Sequence, residues 1–284
     1  MEKPSFDFTP LETPPEVVEK LTMKARKLRS SVLRMLSKAK SGHTGGSLSA
    51  MDILVALYYH VMQHRPAEPF WKKRDRFVLS KGHAAPALYA ILADCGYFPS
   101  KHLDTLRQLG SLLQGHPCLQ TPGVEICTGS LGHGLSLANG MAMGNRIDDI
   151  QSRVYVLLGD GECQEGQIWE AAMSSSHYKL ANLTAIVDKN RLQIDGPTVE
   201  VMNIDPIDDK FRAFGWQTVN VDGHDFKHLL SAFRLAKAET SKPTAIIAHT
   251  VKGKGVSFME NNLEFHGRAP TEEELKWALA ELNE

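Results

Sequence analysis

The chain has 284 residues, of which 42% are hydrophobic and 23% are charged, and its formal net charge is −1. This is ordinary globular composition with enough length to bury a large core. A net charge near zero excludes the strongly basic proteins that bind nucleic acid or anionic membranes through charge. The N-terminus is acidic and polar, unlike a signal peptide, and no apolar run is long enough to span a bilayer. We therefore expect a cytoplasmic protein whose cysteines form no CxxC motif and are reduced thiols: Cys95, Cys118, Cys127 and Cys163.

Helical and strand patterns alternate along the chain. An N-terminal arm over residues 1–14 leads into helices predicted over 13–40 and 50–62, a strand over 76–80 and a helix over 86–95. A glycine- and proline-rich loop over 110–134 is followed by a helix over 136–146, a strand over 153–158, a helix over 167–179 and a strand over 183–188. The remaining elements are a helix over 206–214, a strand over 216–221, a helix over 226–239, a strand over 244–248 and a helix over 272–282 capped by Thr271.

Continuously apolar strands that alternate with helices predict an α/β fold, in which a parallel β-sheet is flanked by helices on both faces. A domain boundary near residues 195–206 is an alternative. The motifs described below lie on both sides of that boundary, so we interpret residues 1–284 as a single domain.

Two polar segments directly follow predicted strands. Gly159, Asp160 and Gly161 come after the strand at 153–158, and Asn190 follows the strand at 183–188, with Leu192 two positions further on. Because adjacent parallel strands end at the same edge of a sheet, both segments should reach the crevice where α/β folds bind ligands. A carboxylate, an amide and a backbone carbonyl form an oxygen-only ligand set that suits Mg²⁺, or Ca²⁺ in a larger cavity. A simple turn or a helix cap would explain either segment alone, but the pair favours a metal and phosphate site.

The segment GDGECQEGQIWEA at residues 159–171, followed by the KN at 189–190, is similar to the thiamine diphosphate motif of transketolases. The likeness continues in SGHTGGSLSAMDIL, DRFVLSKGHAAPALYA, QGHP, TGSLGHGLSLANGMA, KPTAIIAHTVKGKG and FHG, which occur in the expected order. The resemblance implies a thiamine diphosphate-binding fold with Mg²⁺, for which Ca²⁺ or Mn²⁺ can substitute, held by Asp160, Asn190 and the Leu192 carbonyl. It further implies that the cofactor contacts His83, Gly132, Gly159, Asp160, Gly161, Glu165, Asn190 and His266.

Four of the twelve histidines stand beside glycines: His43, His83, His116 and His266. Imidazoles suit a site for polyols and phosphates, because they exchange hydrogen bonds and protons near neutral pH. Each alone could be an ordinary histidine, but their shared setting favours a ligand cleft. The resemblance implies that His83 and His266 approach the diphosphate and thiazolium side, whereas His43 and His116 bind hydroxyls of the donor sugar. The role of His133, where related sequences often carry glutamine, stays open.

Three charged positions allow two interpretations each. Glu165 and Glu170 lie on or beside the helix after the GDG segment, and their spacing does not place them strictly on one helix face. They are either solvated carboxylates or, as the resemblance implies, residues of a subunit interface that couple two active sites. Lys252 lies in a KGKG segment and could touch phosphate, but a mobile cationic loop is the expected default.

The resemblance also indicates what this chain lacks. In transketolases a glutamate of a second, homologous α/β domain acts on the aminopyrimidine of the cofactor across a subunit interface, and no second α/β set follows residue 284 here. We therefore expect a separate C-terminal partner subunit that carries the pyrimidine-binding domain, in an α₂β₂ heterotetramer. The isolated chain could form an inactive homodimer. A truncated piece of a longer chain would look the same.

The expected reaction is transfer of a two-carbon ketol unit from a ketose phosphate to an aldose phosphate, with pentose phosphates as the default substrates. One alternative is a subunit related to 1-deoxyxylulose-5-phosphate synthase, which the set of His43, His116 and His266 disfavours. Another is a non-catalytic degenerate homologue, which the intact metal ligands disfavour. A modified or sulfonated sugar would leave the same pattern in this half of the enzyme.

Overall fold

Five parallel strands form the central sheet. The coordinates are a computed structural model that describes Phe6 and residues 9–283. The strand order is β1 (Arg76–Leu79), β2 (Val154–Gly159), β3 (Leu183–Lys189), β7 (Thr244–His249) and β6 (Gln217–Asp222), and each neighbouring pair is parallel. A short antiparallel pair, β4 (Leu192–Gln193) and β5 (Gly196–Pro197), follows β3. The predicted α/β fold with a parallel sheet is confirmed.

The helices cover both faces of this sheet. In chain order they are α1 (Pro15–Ala39), α2 (Thr44–Ser49), α3 (Met51–Ala56), α4 (Ala85–Cys95), α5 (His133–Ile147), α6 (Gly166–His177), α7 (Thr198–Val201), α8 (Ile207–Ala213), α9 (Phe226–Ala238) and α10 (Glu272–Glu281). Thr271 caps α10 in a capping box, as its sequence predicts. In the part of the chain that is described, no helix is both long and apolar enough to cross a membrane.

The side chains of β1, β2, β3 and β7 alternate between two hydrophobic cores, as the two-residue period of a strand requires. On β2, Tyr155 and Leu157 join the core formed with α1, α3, α4 and α9. Val154, Val156 and Leu158 join the opposite core, which is formed with α5, α6 and α8. Both faces of the strand are thereby buried, which explains its continuously apolar sequence.

Two helices begin earlier than the sequence predicts. The helix expected over residues 50–62 starts with α2 at Thr44, and the one expected over 136–146 starts with α5 at His133. Glycine disfavours a helix interior, which hides these first turns from sequence analysis. Here close packing requires the glycines. A Cβ on Gly46 would lie 3.1 Å from His83 Nε2, and one on Gly134 would lie 2.2 Å from Ser80 Oγ.

The described part of the N-terminal arm packs along α9 without regular structure. The Leu11 N–H donates to Ser231 Oγ at 2.8 Å, and Arg234 donates to the Glu12 carbonyl and to Thr13 Oγ1. The rest of the predicted arm, residues 1–5 and 7–8, lies outside the described residues.

A buried ion pair ties α1 to α3. Arg29 donates two hydrogen bonds to the Asp52 carboxylate, at 3.0 and 2.7 Å, and His224 Nδ1 lies 2.7 Å from the same carboxylate. Burial disfavours the charge on Asp52. The nearby Arg29 and His224 outweigh this effect and hold the pKa of Asp52 well below its usual range.

Candidate active site

The loops after β1, β2, β3 and β7 meet at the carboxyl edge of the sheet, where α/β folds bind ligands. They surround a cavity of about 360 Å³, a size typical of small-molecule sites. Ten of the predicted site residues line it: His43, His83, His116, Gly159, Asp160, Gly161, Glu165, Asn190, Leu192 and His266. A larger hollow of about 960 Å³ near Arg146 and Lys242 contains none of the predicted residues.

Four histidine rings from four separate segments form a cluster in this cavity. The centroid of the His43 ring lies 5.2 Å from that of His83, 5.6 Å from that of His266 and 6.4 Å from that of His116. The rings of His83 and His266 stack at 5.5 Å. The predicted convergence of the glycine-flanked histidines on one cleft therefore has direct geometric support.

The surroundings of the same four imidazoles favour their neutral form. Burial lowers the pKa of each ring, and neighbouring positive charges lower it further. The pKa of His43 falls to about 4 and that of His266 to about 3, while the pKa of His83 falls well below its usual value. A neutral imidazole carries one donor and one acceptor, so the cluster offers directional hydrogen bonds rather than charge.

Asp160 and Asn190 are adjacent in space. The Asp160 carboxylate is buried and accepts from the N–H of Gly161 at 2.9 Å and from the N–H of Arg191 at 2.5 Å. Asn190 Oδ1 accepts from the N–H of Leu192 at 3.1 Å. Burial, reinforced by the negative charge of Asp188, raises the pKa of Asp160 to about 6. The register that pairs Gly159 with Asp188 brings these two segments together.

Lys81 lines the floor of the cavity and is paired with the buried Asp188. Lys81 Nζ lies 2.5 Å from Asp188 Oδ2, and both side chains are almost completely buried. Asp188 also accepts from the hydroxyls of Ser49 and Thr250. Burial works against the charge on Asp188, but Lys81 and these donors hold its pKa below the usual value. Neither Lys81 nor Asp188 was predicted, although a charge at the end of an apolar strand was a usable signal.

The expectation of a mobile Lys252 loop is wrong. The Lys252 side chain is buried, and its Nζ donates to the Leu192 carbonyl at 2.9 Å and to His266 Nδ1 at 2.6 Å. The glycines on either side of the lysine suggest mobility, but contacts with β4 and the 263–266 turn fix its position. The lysine thus belongs to the site.

A second carboxylate that the sequence analysis missed holds three loops together. Glu162 is buried and accepts from the Ser80 hydroxyl, from the N–H of Gly132 at 3.0 Å and from the N–H of Gly159 at 2.9 Å. Gly132, which was predicted to contact a cofactor, does not line the described cavity and instead supports it through this contact. The position of Glu162 directly after the GDG segment was the sequence signal that could have identified it.

The two glutamates considered for an interface differ from Glu162 in exposure. Glu165 precedes α6 at the cavity, Glu170 lies on α6, and both are exposed. His133, at the start of α5, is also exposed. Exposure leaves these three residues available to a partner chain.

Comparisons with known proteins agree on one family. A family model described as transketolase, thiamine diphosphate binding domain, matches residues 20–282. The chain is 45% identical to one of the subunits of the apulose-4-phosphate transketolase of Phocaeicola vulgatus, over 94% of this chain and 95% of the relative. It is 46% identical to the 6-deoxy-6-sulfo-D-fructose transketolase subunit SqwG of Clostridium sp. (strain MSTE9), over 92% of this chain and 96% of that relative.

Longer transketolases match over part of their length. The human transketolase is 44% identical over 86% of this chain, but the match covers 39% of the human protein. The crystal structure of transketolase from Campylobacter jejuni superposes with a TM-score of 0.90 and 38% identity, over 94% of this chain and 43% of that one. This chain therefore corresponds to less than half of these larger proteins.

Proposed function

Because this chain belongs to the transketolase thiamine diphosphate-binding domain family, we propose that it is the N-terminal subunit of a two-subunit transketolase. With a C-terminal partner it transfers a two-carbon ketol unit from a ketose or ketose phosphate to an aldose or aldose phosphate. The observation that carries the proposal is the convergence of four histidines and the Asp160–Asn190 pair on one cavity. We further propose that the chain is one domain and acts in the cytoplasm.

The donor atoms present fit a magnesium ion. Asp160 is a buried carboxylate that forms no ion pair within the described residues, and it lies against the segment that carries Asn190. A carboxylate, an amide oxygen and the Leu192 carbonyl would hold Mg²⁺, with Ca²⁺ or Mn²⁺ as substitutes. Lys252 Nζ now contacts that carbonyl, and two cations at contact distance from one oxygen would repel each other. A carbonyl oxygen has two lone pairs, so a metal ion bound there would either share the oxygen with the ammonium or displace it.

The cavity also fits a diphosphate. Lys81 and Lys252 place two buried positive charges at its floor, while Gly159 and Gly161 keep side chains away from the approaching anion. His83 and His266 would donate to phosphate oxygens. Once bound, thiamine diphosphate would supply the nucleophilic carbon to which the two-carbon unit is transferred.

The remaining histidines suit the sugar. The ring centroids of His43 and His116 are 6.4 Å apart, and in its neutral form each imidazole can donate one hydrogen bond and accept another. A polyol offers the same combination on every hydroxyl. These two residues would therefore orient the ketose and move protons at its hydroxyl oxygens.

A partner subunit is supported by two observations. The relatives that match along their whole length are named as transketolase subunits. Exposed apolar side chains also surround the cavity and extend along α6: Leu131, Met173, Tyr178, Ile194, Val199, Val201 and Met202. Apolar surface of this kind marks assembly sites. We propose an α₂β₂ heterotetramer in which the partner contributes the pyrimidine-binding domain with its glutamate, and an inactive homodimer when this chain is alone.

The assembly is tested by measuring ketol transfer with and without a C-terminal transketolase subunit. The lone chain should show no transfer at any cofactor concentration, whereas the mixture should be active at a mass of two copies of each chain. A ketose and aldose panel that includes sulfonated and branched sugars identifies the substrate. Robust activity of the lone chain would refute the two-subunit proposal.

The metal site is tested by calorimetry of thiamine diphosphate binding with Mg²⁺ or with EDTA. Binding should be lost in EDTA and in Asp160→Ala, because the diphosphate is bound through the metal. Asp195→Asn removes an exposed charge from the rim of the same cavity and is the matched control. Equal loss in the control variant would show that general charge, rather than metal ligation, governs affinity.

A further inference from the structure

Two cysteines face each other beside the histidine cluster. Cys118 and Cys127 bracket a loop that starts just after His116 and ends just before Gly129. Their Sγ atoms are 3.6 Å apart, and the Cys127 thiol donates to the Cys118 sulfur. Cys118 is half-buried and Cys127 is exposed, so small oxidants can reach them.

The loop geometry favours a thiolate at one of the two positions. The N–H of Leu119 donates to Cys127 Sγ at 3.3 Å, which leaves the hydrogen of Cys127 directed at Cys118. The N–H of Gln120, followed by the Cys127 thiol, lowers the pKa of Cys118 below the usual value of a thiol. The sulfur that accepts these hydrogen bonds is the stronger candidate nucleophile.

The other cysteines have the opposite environment. Burial raises the pKa of Cys95 to about 11, and it raises the pKa of the fully buried Cys163 well above the usual value. Their thiolate fractions at neutral pH are therefore small, and the Cys118–Cys127 pair is the reactive pair of this chain.

We propose that Cys118 and Cys127 form a reversible disulfide when a hydroperoxide oxidises the chain, and that this disulfide displaces His116. Ketol transfer as proposed above requires neither thiol. The pair is thus a modification site that links the redox state of the surroundings to the geometry of the cavity.

The chemistry balances with hydrogen peroxide as the oxidant. The Cys118 thiolate attacks one peroxide oxygen, so an S–O bond forms, the O–O bond breaks, and hydroxide leaves and is protonated to water. Cys127 then attacks the sulfur of the Cys118 sulfenic acid. The S–S bond forms, the S–O bond breaks, and a second water leaves. Two thiols are oxidised as one peroxide is reduced, and an external dithiol reverses the change.

The link to His116 is steric. The sulfurs must approach by about 1.5 Å to reach the S–S bond length of about 2.0 Å. The His116 ring packs on the backbone just beyond Cys127, since a Cβ on Gly129 would lie 3.0 Å from its Cδ2. The His116 carbonyl is held by the Tyr89 hydroxyl at 2.8 Å, so the main chain on that side cannot follow freely. Closure must therefore draw in the Cys127 side of the loop, and the nearby Gly129 then displaces the His116 ring. Weaker binding of a ketose would follow, and that consequence alone rests on the proposed function.

The test uses the purified chain of residues 1–284 without cofactor or partner, so its failure is distinct from failure of the proposed function. The chain is treated with hydrogen peroxide and mapped by mass spectrometry, and the ring resonance of His116 is followed by NMR before and after dithiothreitol. Cys118→Ser, Cys127→Ser and the control Cys95→Ser are compared. Serine at these positions changes one atom, and circular dichroism verifies that each variant folds.

We expect one intramolecular 118–127 disulfide, a shifted His116 resonance, and full reversal by dithiothreitol. Cys127→Ser should stop at a trappable sulfenic acid on Cys118, and Cys118→Ser should react at least about tenfold more slowly than the wild type. Cys95→Ser should match the wild type. Failure to form the disulfide, equally fast oxidation of Cys95, or a His116 resonance that does not respond to the disulfide would each overturn the proposal.

Discussion

Removal of the Glu162 carboxylate should destabilise the whole carboxyl edge of the sheet. This side chain is 2% exposed and binds donors from the β1 loop, the start of α5 and the end of β2. Burial raises the pKa of Glu162, whereas its three hydrogen bonds favour the ionised form; the two N–H partners can only donate, so the site needs a carboxylate oxygen facing each of them. Glu162→Ala would leave the hydroxyl of Ser80 and the N–H groups of Gly132 and Gly159 buried without their acceptor.

The magnitude follows from the three hydrogen bonds. Each hydrogen bond to a charged group contributes about 1.5–3 kcal/mol, and the cost of burying the carboxylate offsets part of the total. We expect Glu162→Ala to lower the free energy of unfolding by about 3–5 kcal/mol. Glu162→Gln keeps one acceptor oxygen but turns an NH₂ toward an N–H, so it should lose about 1.5–3 kcal/mol.

The assay is urea denaturation of the isolated chain, followed by tryptophan fluorescence and far-UV circular dichroism. Glu170→Gln makes the same change at an exposed site on α6 and should stay within about 0.5 kcal/mol of the wild type. The reasoning would be refuted if Glu162→Ala lay within about 1 kcal/mol of the wild type, or if Glu162→Gln were as costly as Glu162→Ala.

Three further predictions concern other parts of the fold. Asp52→Asn should cost about 3–5 kcal/mol because it leaves its arginine partner buried and unpaired. Because the fold lowers the pKa of Asp52, the ionised carboxylate contributes its full stabilisation above about pH 4, and this contribution is lost as the pH falls further. The urea midpoint of Asp52→Asn should therefore lack this dependence on acid. In thermal unfolding, Gly134→Ala should destabilise the fold by about 1–3 kcal/mol, because its Cβ would clash with Ser80. Gly140→Ala lies in open space on the same helix and should stabilise the fold by about 0.5–1 kcal/mol. In NMR titrations, the rings of His43 and His266 should stay neutral from pH 8 to about pH 5; protonation near pH 6.5 would contradict their burial.

The convergence of the GDG segment and the Asn190 segment could be predicted because it depends on local pattern and sheet topology. A polar motif after each of two apolar strands is visible in the sequence, and parallel pairing of Gly159 with Asp188 brings the motifs to one edge. The four histidines were visible for a similar reason, since each stands beside glycine in its own segment. Pattern alone was sufficient wherever the position of a residue follows directly from an element boundary.

The charged floor of the cavity could not be predicted in the same way. Lys81 and Asp188 are 107 positions apart, and their pairing depends on how β1 and β3 flank β2. Lys252 was misplaced because flanking glycines indicate local freedom, whereas distant contacts fix this side chain. Propensity likewise hid the helix that begins at Thr44, because packing between elements overrides the local cost of glycine.

Lys81 and Lys252, which both line the cavity, differ in whether a carboxylate pairs with their positive charge. The charge of Lys81 is matched by Asp188, whereas Lys252 has only a carbonyl and a neutral imidazole at hydrogen-bond distance within the described residues. A buried ammonium without a counter-charge is costly, and burial lowers the pKa of Lys252 to about 8. An anion in the cavity would supply that counter-charge at the point where the histidines offer further donors. An anion bound at this point would offset the cost of burying the ammonium of Lys252, which favours a diphosphate over a neutral sugar at this end of the cleft.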